Sequence, residues 1–183
     1  EEIKDISLFC DPTANKAAVK LENTEAGIRY DLYVNDNDNA VENLTANNTG
    51  DVLTFSPVTE SPATVRVIAV EPKAQNCTRQ MSKEFNVVEL YASVVDNDIT
   101  CNKEKDGKFI AEVSGGFPSS SFPLYSHLLT NIDTGEEISD SLATGLPAGK
   151  YQYKVEDNIK CTRTVDFEIT EPKDLQATII QED

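Results

Sequence analysis

Gly145 to Asn158 reads GLPAGKYQYKVEDN, and this stretch decides the fold of the surrounding chain. A turn containing proline and glycine leads into a segment in which apolar and polar residues alternate. Alternation with a period of two is typical of a β-strand that buries one face. Asp157 and Asn158 then end the strand, because short polar side chains bond to nearby backbone and favour turns. The stretch predicts turn, strand, turn and a further strand that carries Cys161.

The composition favours many short strands and excludes some partners. The 183 residues contain 32 acidic and 16 basic side chains, a formal net charge of −16. A nucleic-acid partner is excluded because binding to phosphates requires clustered Lys and Arg. No stretch approaches the ~20 apolar residues that span a bilayer, so we predict no direct membrane insertion. The chain begins Glu1-Glu2, which indicates a mature or excised segment of a longer protein.

The chain also repeats itself, which is best tested before any other pattern. The decapeptide ELYASVVDND from Glu89 is echoed by DLQATIIQED from Asp174. Each half has an early and a late cysteine, and the late ones, Cys77 and Cys161, both begin Cys-Thr-Arg. We therefore predict two domains and the start of a further, truncated repeat, which are residues 1–89, 90–174 and 175–183.

Turn signals recur about every 8–12 residues between short alternating segments. This spacing predicts an all-β fold of two tandem immunoglobulin-like β-sandwiches with about seven strands each. Residues 15–21 are the best candidate for a helix, and we favour a strand there. Residues 35–39 predict a hairpin turn. Tyr151 follows a turn and enters the penultimate strand, a placement like the tyrosine corner of Greek-key sandwiches.

The four cysteines are the first candidates for chemistry. Zinc sites use closely spaced pairs such as Cys-x-x-Cys, and the chain has none. Pairing early with late cysteines in each half predicts the disulfides Cys10–Cys77 and Cys101–Cys161, with free buried thiols and metal ligation as alternatives. A persistent disulfide would indicate a location outside the cytoplasm.

Calcium is the one cofactor that the sequence suggests, and no cofactor is certain. Asp96 and Asp98 lie near the predicted junction of the two domains, where both domains could supply the six to eight oxygens that calcium needs. Asp106 and Asp157 could contribute if their loops converge. A solvated turn is the competing interpretation of these acidic residues.

Catalysis and modification have less support. The single histidine, His127, is interpreted as a packed strand residue, and no serine-hydrolase, zinc-protease or phosphate-loop motif occurs. We therefore predict no enzyme activity. Asp140-Ser141-Leu142 resembles the O-glycosylation motif that Bacteroidota use on exported proteins, which makes Ser141 a candidate for modification.

A set of motifs in the second half occurs in a fixed order. They are ITCN from Ile99, DG from Asp106, VSGGFP from Val113, GLPAGKY from Gly145, VEDN from Val155, Cys161 and ITEP from Ile169. With them, residues 90–174 resemble the SprB-type repeat of large surface adhesins of Bacteroidota, although Lys160 stands where that family usually has glycine. Residues 1–89 resemble, more weakly, bacterial immunoglobulin-like surface modules.

The resemblance implies an exported cell-surface protein of many repeats, delivered by type IX secretion and used in gliding motility or surface attachment. The expected function is that of a non-catalytic adhesin segment, a disulfide-locked spacer whose partners are neighbouring repeats of the same chain. One alternative is a module that binds surface glycans or proteins, with Tyr33, Phe117 and Phe122 as candidate contacts. The other is an accessory domain of an extracellular enzyme.

Overall fold

A computed structural model describes residues 6–71, 78–79 and 84–176, and these residues form two compact units. The N-terminal unit takes in the described residues within Glu1–Tyr91, Gly115–Tyr125 and Glu156–Thr162. The C-terminal unit takes in those within Ala92–Ser114, Ser126–Val155 and Arg163–Asp183. The described residues contain fifteen strands and no helix, which confirms the predicted all-β class.

The N-terminal unit is a sandwich of two antiparallel sheets. One has the order β1-β2-β5, and the other has the order β4-β3-β6-β7, with β8 also pairing with β6. The strands are β1 (Ile6–Asp11), β2 (Lys16–Leu21), β3 (Arg29–Val34), β4 (Glu42–Thr45), β5 (Leu53–Thr54), β6 (Ala63–Val70), β7 (Thr78–Arg79) and β8 (Glu84–Val87). Strict alternation along β6 buries Ala63, Val65, Val67 and Ala69, as a half-buried strand requires.

The C-terminal unit is a second sandwich. Its sheets have the orders β13-β10-β9 and β12-β11-β14-β15. The strands are β9 (Tyr91–Asn97), β10 (Gly107–Ser114), β11 (Ser126–Asn131), β12 (Glu137–Ile138), β13 (Leu142–Leu146), β14 (Gly149–Glu156) and β15 (Thr162–Ile169). In β14 the predicted alternation is confirmed, with Tyr151, Tyr153 and Val155 buried and the residues between them exposed.

The two units share one strand order. In each, the first, second and fifth strands form one sheet, and the fourth, third and sixth strands follow one another in the other. The strand or strands after the sixth then pair with it. This is an immunoglobulin-like arrangement, as the repeat predicted, and the two halves agree in topology although few residues match.

The division of the chain differs from the two contiguous ranges predicted from the sequence. Two segments of the second half, 115–125 and 156–162, belong to the N-terminal unit. The Gly116 N–H donates to the Val88 carbonyl at 3.0 Å, and the Cys10 N–H donates to the Ile159 carbonyl at 3.0 Å. Phe117 and Ile159 pack against the N-terminal core. These contacts join residues far apart in sequence, so local patterns could not indicate them.

Local predictions in the first half agree with the structure. Residues 16–21 are strand β2, not a helix. Residues 35–39 connect β3 to β4 as a hairpin, in which Leu32 pairs with Glu42 and Asn35 has a φ of 57°. Asparagine tolerates this left-handed backbone better than most residues, which explains its place at the turn.

Tyr151 forms the predicted tyrosine corner. Its hydroxyl donates to the backbone carbonyl of Pro147 at 2.8 Å, and its ring stacks on Phe167 with centroids 5.4 Å apart. Phe109 in turn lies against Phe167 and Tyr153, at 5.4 and 5.2 Å. The corner therefore attaches the turn before β14 to the aromatic centre of the C-terminal core.

We expect Tyr151→Phe to lower the free energy of unfolding by about 1 kcal/mol, because it removes one hydrogen bond and leaves the ring in place. Chemical denaturation at neutral pH measures the change. Tyr91→Phe is the matched control, since Tyr91 is 57% exposed. Equal stabilities of the two variants would contradict the role of the corner.

Candidate functional site

The cysteine pairing in the structure differs from the prediction. Cys10 and Cys161 form a disulfide with their Cα atoms 5.1 Å apart, and the two residues are separated by 151 positions in sequence. Cys101 is exposed and carries a free thiol, so the predicted pair Cys101–Cys161 is wrong, and Cys10 is not available to Cys77. Cys77 itself lies outside the described residues. Symmetric spacing suggested pairing within each half, but the folded chain brings the end of β1 next to residues 156–162.

Hydrogen bonds hold the backbone around the disulfide at several points. The side-chain amide of Asn15 pairs with the backbone of Thr162: its Nδ2 donates to the carbonyl at 2.7 Å, and its Oδ1 accepts the N–H at 3.0 Å. The side-chain amide of Asn15 thus makes the two hydrogen bonds that a neighbouring strand residue would make with Thr162. Asn15 has a φ of 51°, which places it in the turn after β1. We call Cys10, Asn15, Asp157 and Cys161 the latch.

Asp157 organises the second half of the latch. Its buried carboxylate accepts the N–H of Ile159 at 3.1 Å and of Cys161 at 2.9 Å through Oδ1, and the N–H of Phe117 at 3.0 Å through Oδ2. Three N–H donors to one carboxylate satisfy both oxygens, as burial of a charge demands. Burial nevertheless raises the pKa of Asp157, and the three N–H groups oppose the rise.

Two backbone positions show how closely this turn is packed. A Cβ added to Gly116 would lie 2.9 Å from Oδ2 of Asp157 and 3.0 Å from the Leu90 side chain, so only glycine fits without displacement. Lys160 has a φ of 76°, a left-handed conformation that favours glycine.

The predicted calcium residues do not form a ligand cluster. Asp98 is exposed, and its Oδ1 accepts the backbone N–H of Thr170 at 2.7 Å. Asp106 accepts the backbone N–H and the hydroxyl of Thr100, and these hydrogen bonds lower its pKa. Asp96 lies half-buried in β9. In the part of the chain that the structure describes, no group of three or more His, Cys, Asp or Glu side chains could hold a metal ion.

The other candidates lie in separate places. His127 is a half-buried residue of β11 whose Nδ1 lies 2.6 Å from the Tyr153 hydroxyl, and burial lowers the pKa of the imidazole. This placement matches the packed strand residue that was predicted. Ser141 is half-buried just before β13, and its carbonyl accepts the Ala111 N–H at 2.8 Å. Its modification stays a prediction.

The three aromatic residues that were predicted to contact a ligand differ in their exposure. Phe117 packs against the N-terminal core, so it is a structural residue. Tyr33 is half-buried under the Arg66 guanidinium, which lies 5.2 Å from the ring centroid. Phe122 is 92% exposed in the loop between β10 and β11. Only Phe122 could therefore offer a whole ring to a ligand.

An open cleft of about 380 Å³ lies in the N-terminal unit beside β3 and β4. It is lined by apolar residues such as Leu32 and Val41 and by the carboxylates Glu42 and Glu60. Both carboxylates already accept hydrogen bonds, from the Ser56 N–H and from the Asn35 amide. The cleft is thus a surface recess whose polar groups serve the fold.

No family model matches the chain, and no curated protein matches it. Within residues 6–71, 78–79 and 84–176, the structure contains no helix that is long and apolar enough to cross a membrane. The candidate functional site is therefore chosen on geometry alone, and it is the latch. The sequence did contain its signal: Asp157 and Cys161 are four residues apart, a spacing that lets one carboxylate cap the turn and hold the cysteine.

The disulfide predicts a defined pattern of thiol reactivity. Under native, non-reducing conditions we expect alkylation of Cys101, and peptide mapping should recover a cross-link between Cys10 and Cys161. Replacing both bonded cysteines by serine should lower the free energy of unfolding by up to about 5 kcal/mol, since a closed loop of this length restricts the unfolded chain strongly. Cys101→Ser is the control and should change stability little. A Cys101–Cys161 peptide would contradict the structure.

Asp157 predicts a pH dependence with a definite sign. Because its pKa is higher in the folded than in the unfolded chain, its contribution to stability is complete below the ordinary value of 3.8 and is lost as pH rises through the folded value. We therefore expect the wild type to lose stability relative to Asp157→Asn as pH rises through this range. Denaturation of both proteins from pH 3 to about pH 7 measures the difference.

Two outcomes of that series are informative. Asp157→Asn should also be destabilised by about 1–3 kcal/mol at acidic and neutral pH, because its Nδ2 cannot accept the Phe117 N–H. Asp38→Asn, at an exposed position of the hairpin turn, is the matched control. A stability difference that does not change with pH, or that changes in the opposite direction, would contradict a raised pKa of Asp157 in the folded chain.

Asp98 and Asp106 already accept backbone N–H groups, so we expect calcium to leave the stability of this junction unchanged. A cation that binds only the folded state raises the melting temperature by mass action. We expect equal midpoints in millimolar calcium and in excess chelator. A calcium-dependent rise that Asp98→Asn removes would restore the junction site predicted from the sequence.

Proposed function

We propose that the chain is a non-catalytic structural segment of an extracellular, cell-surface protein, in which immunoglobulin-like units act as a spacer. The observation that carries this proposal is the latch. It consists of a disulfide, a buried carboxylate and a side-chain amide. The side-chain hydrogen bonds of Asp157 and Asn15 go to backbone groups of the same unit. An arrangement of this kind positions backbone, and it presents no group to a substrate.

The disulfide supports the extracellular location. Disulfides persist in oxidising compartments and are reduced in the cytosol. The net charge of −16 suits a surface that must remain solvated and separate from other copies. The repeated strand order supports the spacer role, because an array of similar units extends a surface away from the cell.

The chemistry of the buried polar groups supports a non-catalytic role. Asp31 pairs with both nitrogens of the Arg29 guanidinium at 2.8 and 2.9 Å. Asn131 accepts the N–H groups of Asp133 and Thr134, and His127 contacts Tyr153. Each of these groups holds a strand or a turn. Together with the resemblance of residues 90–174 to SprB-type repeats, they favour an adhesin stalk with neighbouring repeats of the same chain as its partners.

The proposal is tested on intact source cells. Antibodies raised against the chain should label unpermeabilised cells, and brief treatment of the cells with protease should remove the label. A cytoplasmic protein serves as the control, since it should be labelled only after permeabilisation. Label that appears only after permeabilisation, and that resists protease, would contradict an extracellular spacer.

Ligand binding is a second candidate function, and Phe122 is the observation that favours it. An exposed aromatic ring between Ser121 and Pro123 can stack on a sugar face or enter a protein pocket. The isolated chain should then bind on a glycan array, and Phe122→Ala should remove the signal while Tyr91→Ala retains it. Binding that is equal in both variants would exclude this loop as the contact.

A further inference from the structure

We propose that the Cys10–Cys161 disulfide is a tension shunt, a covalent path that carries a pulling force past the residues between the two cysteines. The inference deepens the proposed function, because a spacer on a cell surface is loaded along its chain. The mechanical property itself follows from connectivity and is measurable whatever the biological role is.

The position of the bond determines which residues can be stretched. Only nine residues precede Cys10 and 22 follow Cys161 in the chain of 183. A force applied to the two ends enters the bond at Cys10 and leaves it at Cys161. Residues 11–160 lie on the closed loop, so that force cannot extend their backbone between the two ends, even after their hydrogen bonds break.

Most of the fold is inside this loop. Strands β2 to β14 lie entirely within it, so only the first part of β1 and the whole of β15 can be extended directly. Residues 6–9 of β1 pair with β2, and β15 pairs with β14. Tension can therefore detach one terminal strand from each unit, while the strands that form most of both cores remain in a loop of fixed contour.

The latch also protects the bond and its attachment points. Cys161 is 7% exposed while Cys10 is half-buried, so an external thiol has little access to the Cys161 sulfur, and exchange requires such access. The Cys10 N–H is bonded to Ile159, the Cys161 N–H to Asp157, and the Thr162 backbone to Asn15. Hydrogen bonds therefore hold the backbone near both cysteines, where the force enters and leaves the disulfide.

The pairing predicted from the sequence would behave differently. Bonds at Cys10–Cys77 and Cys101–Cys161 would shelter two separate loops and leave residues 78–100 open to extension. The stretchable length would then be 54 residues instead of 31, by the numbering of the chain. Contour length therefore distinguishes the shunt from the alternative pairing.

Single-molecule force spectroscopy on the complete oxidised chain, held at residues 1 and 183, tests the shunt. In the wild-type chain, with its reactive thiols alkylated under native conditions, we expect a final contour of roughly 110 Å, because an extended residue spans about 3.5 Å. Adding reductant to the mounted molecule should release roughly 500 Å more, and Cys10→Ser should show that length from the start. If Cys10→Ser does not fold, the measurement with added reductant still tests the proposal.

Two other outcomes overturn the inference. A contour of roughly 190 Å in the oxidised chain would indicate the two separate loops. Release of the full length before reduction, in protein whose cross-link has been confirmed by peptide mapping, would show that the bond does not carry the load. A shunt measured in a protein that is not found on the cell surface would leave the mechanics intact and would refute only the proposed function.

Discussion

The buried carboxylate of Asp157 is the interaction on which the latch depends. It accepts the N–H groups of Ile159 and Cys161, which follow it in its own turn, and that of Phe117, forty positions earlier in the chain. A carboxylate in this environment must either be satisfied by donors or become protonated. Because all its donors are backbone groups, the side chain determines the path of the main chain over residues 156–162. That path places Cys161 opposite Cys10.

The rest of the N-terminal unit follows from this placement. Ile159 and Phe117 pack, partly buried, against a core whose buried residues all lie within residues 6–87. Gly116 is required where the carboxylate passes close to the backbone, and Asn15 substitutes for a strand neighbour of Thr162. A unit built from three chain segments cannot be released by cutting a single linker.

Sequence patterns predicted the strands because period two depends only on neighbouring residues. The alternation of Tyr151, Tyr153 and Val155, the turn at residues 35–39 and the strand at residues 16–21 are all present in the structure. The tyrosine corner was predictable for the same reason, since its acceptor lies four residues upstream. The paired sheets and the shared strand order then follow from the repeat.

The candidate site was only partly predictable. All four cysteines were singled out, but four cysteines allow three connectivities, and spacing alone chose the wrong one. Phe117 looked like a surface aromatic but is partly buried against the N-terminal core, because the segment that carries it belongs to the N-terminal unit. Asp157 was identified as a turn former, while its three donors came from the tertiary fold. The calcium residues Asp96 and Asp98 suggested a junction that the described residues do not assemble into a ligand set.

The amino-acid sequence by itself determined the all-β class, the alternation of strands such as β6 and β14, and the acidic composition. These depend on side-chain chemistry and on neighbours within a few positions. The tertiary structure alone decided which cysteines meet, which segments complete each core and which aromatic ring remains exposed. Those outcomes depend on contacts across as many as 151 positions, where the energy of packing and of buried hydrogen bonds, and not local preference, selects the partner.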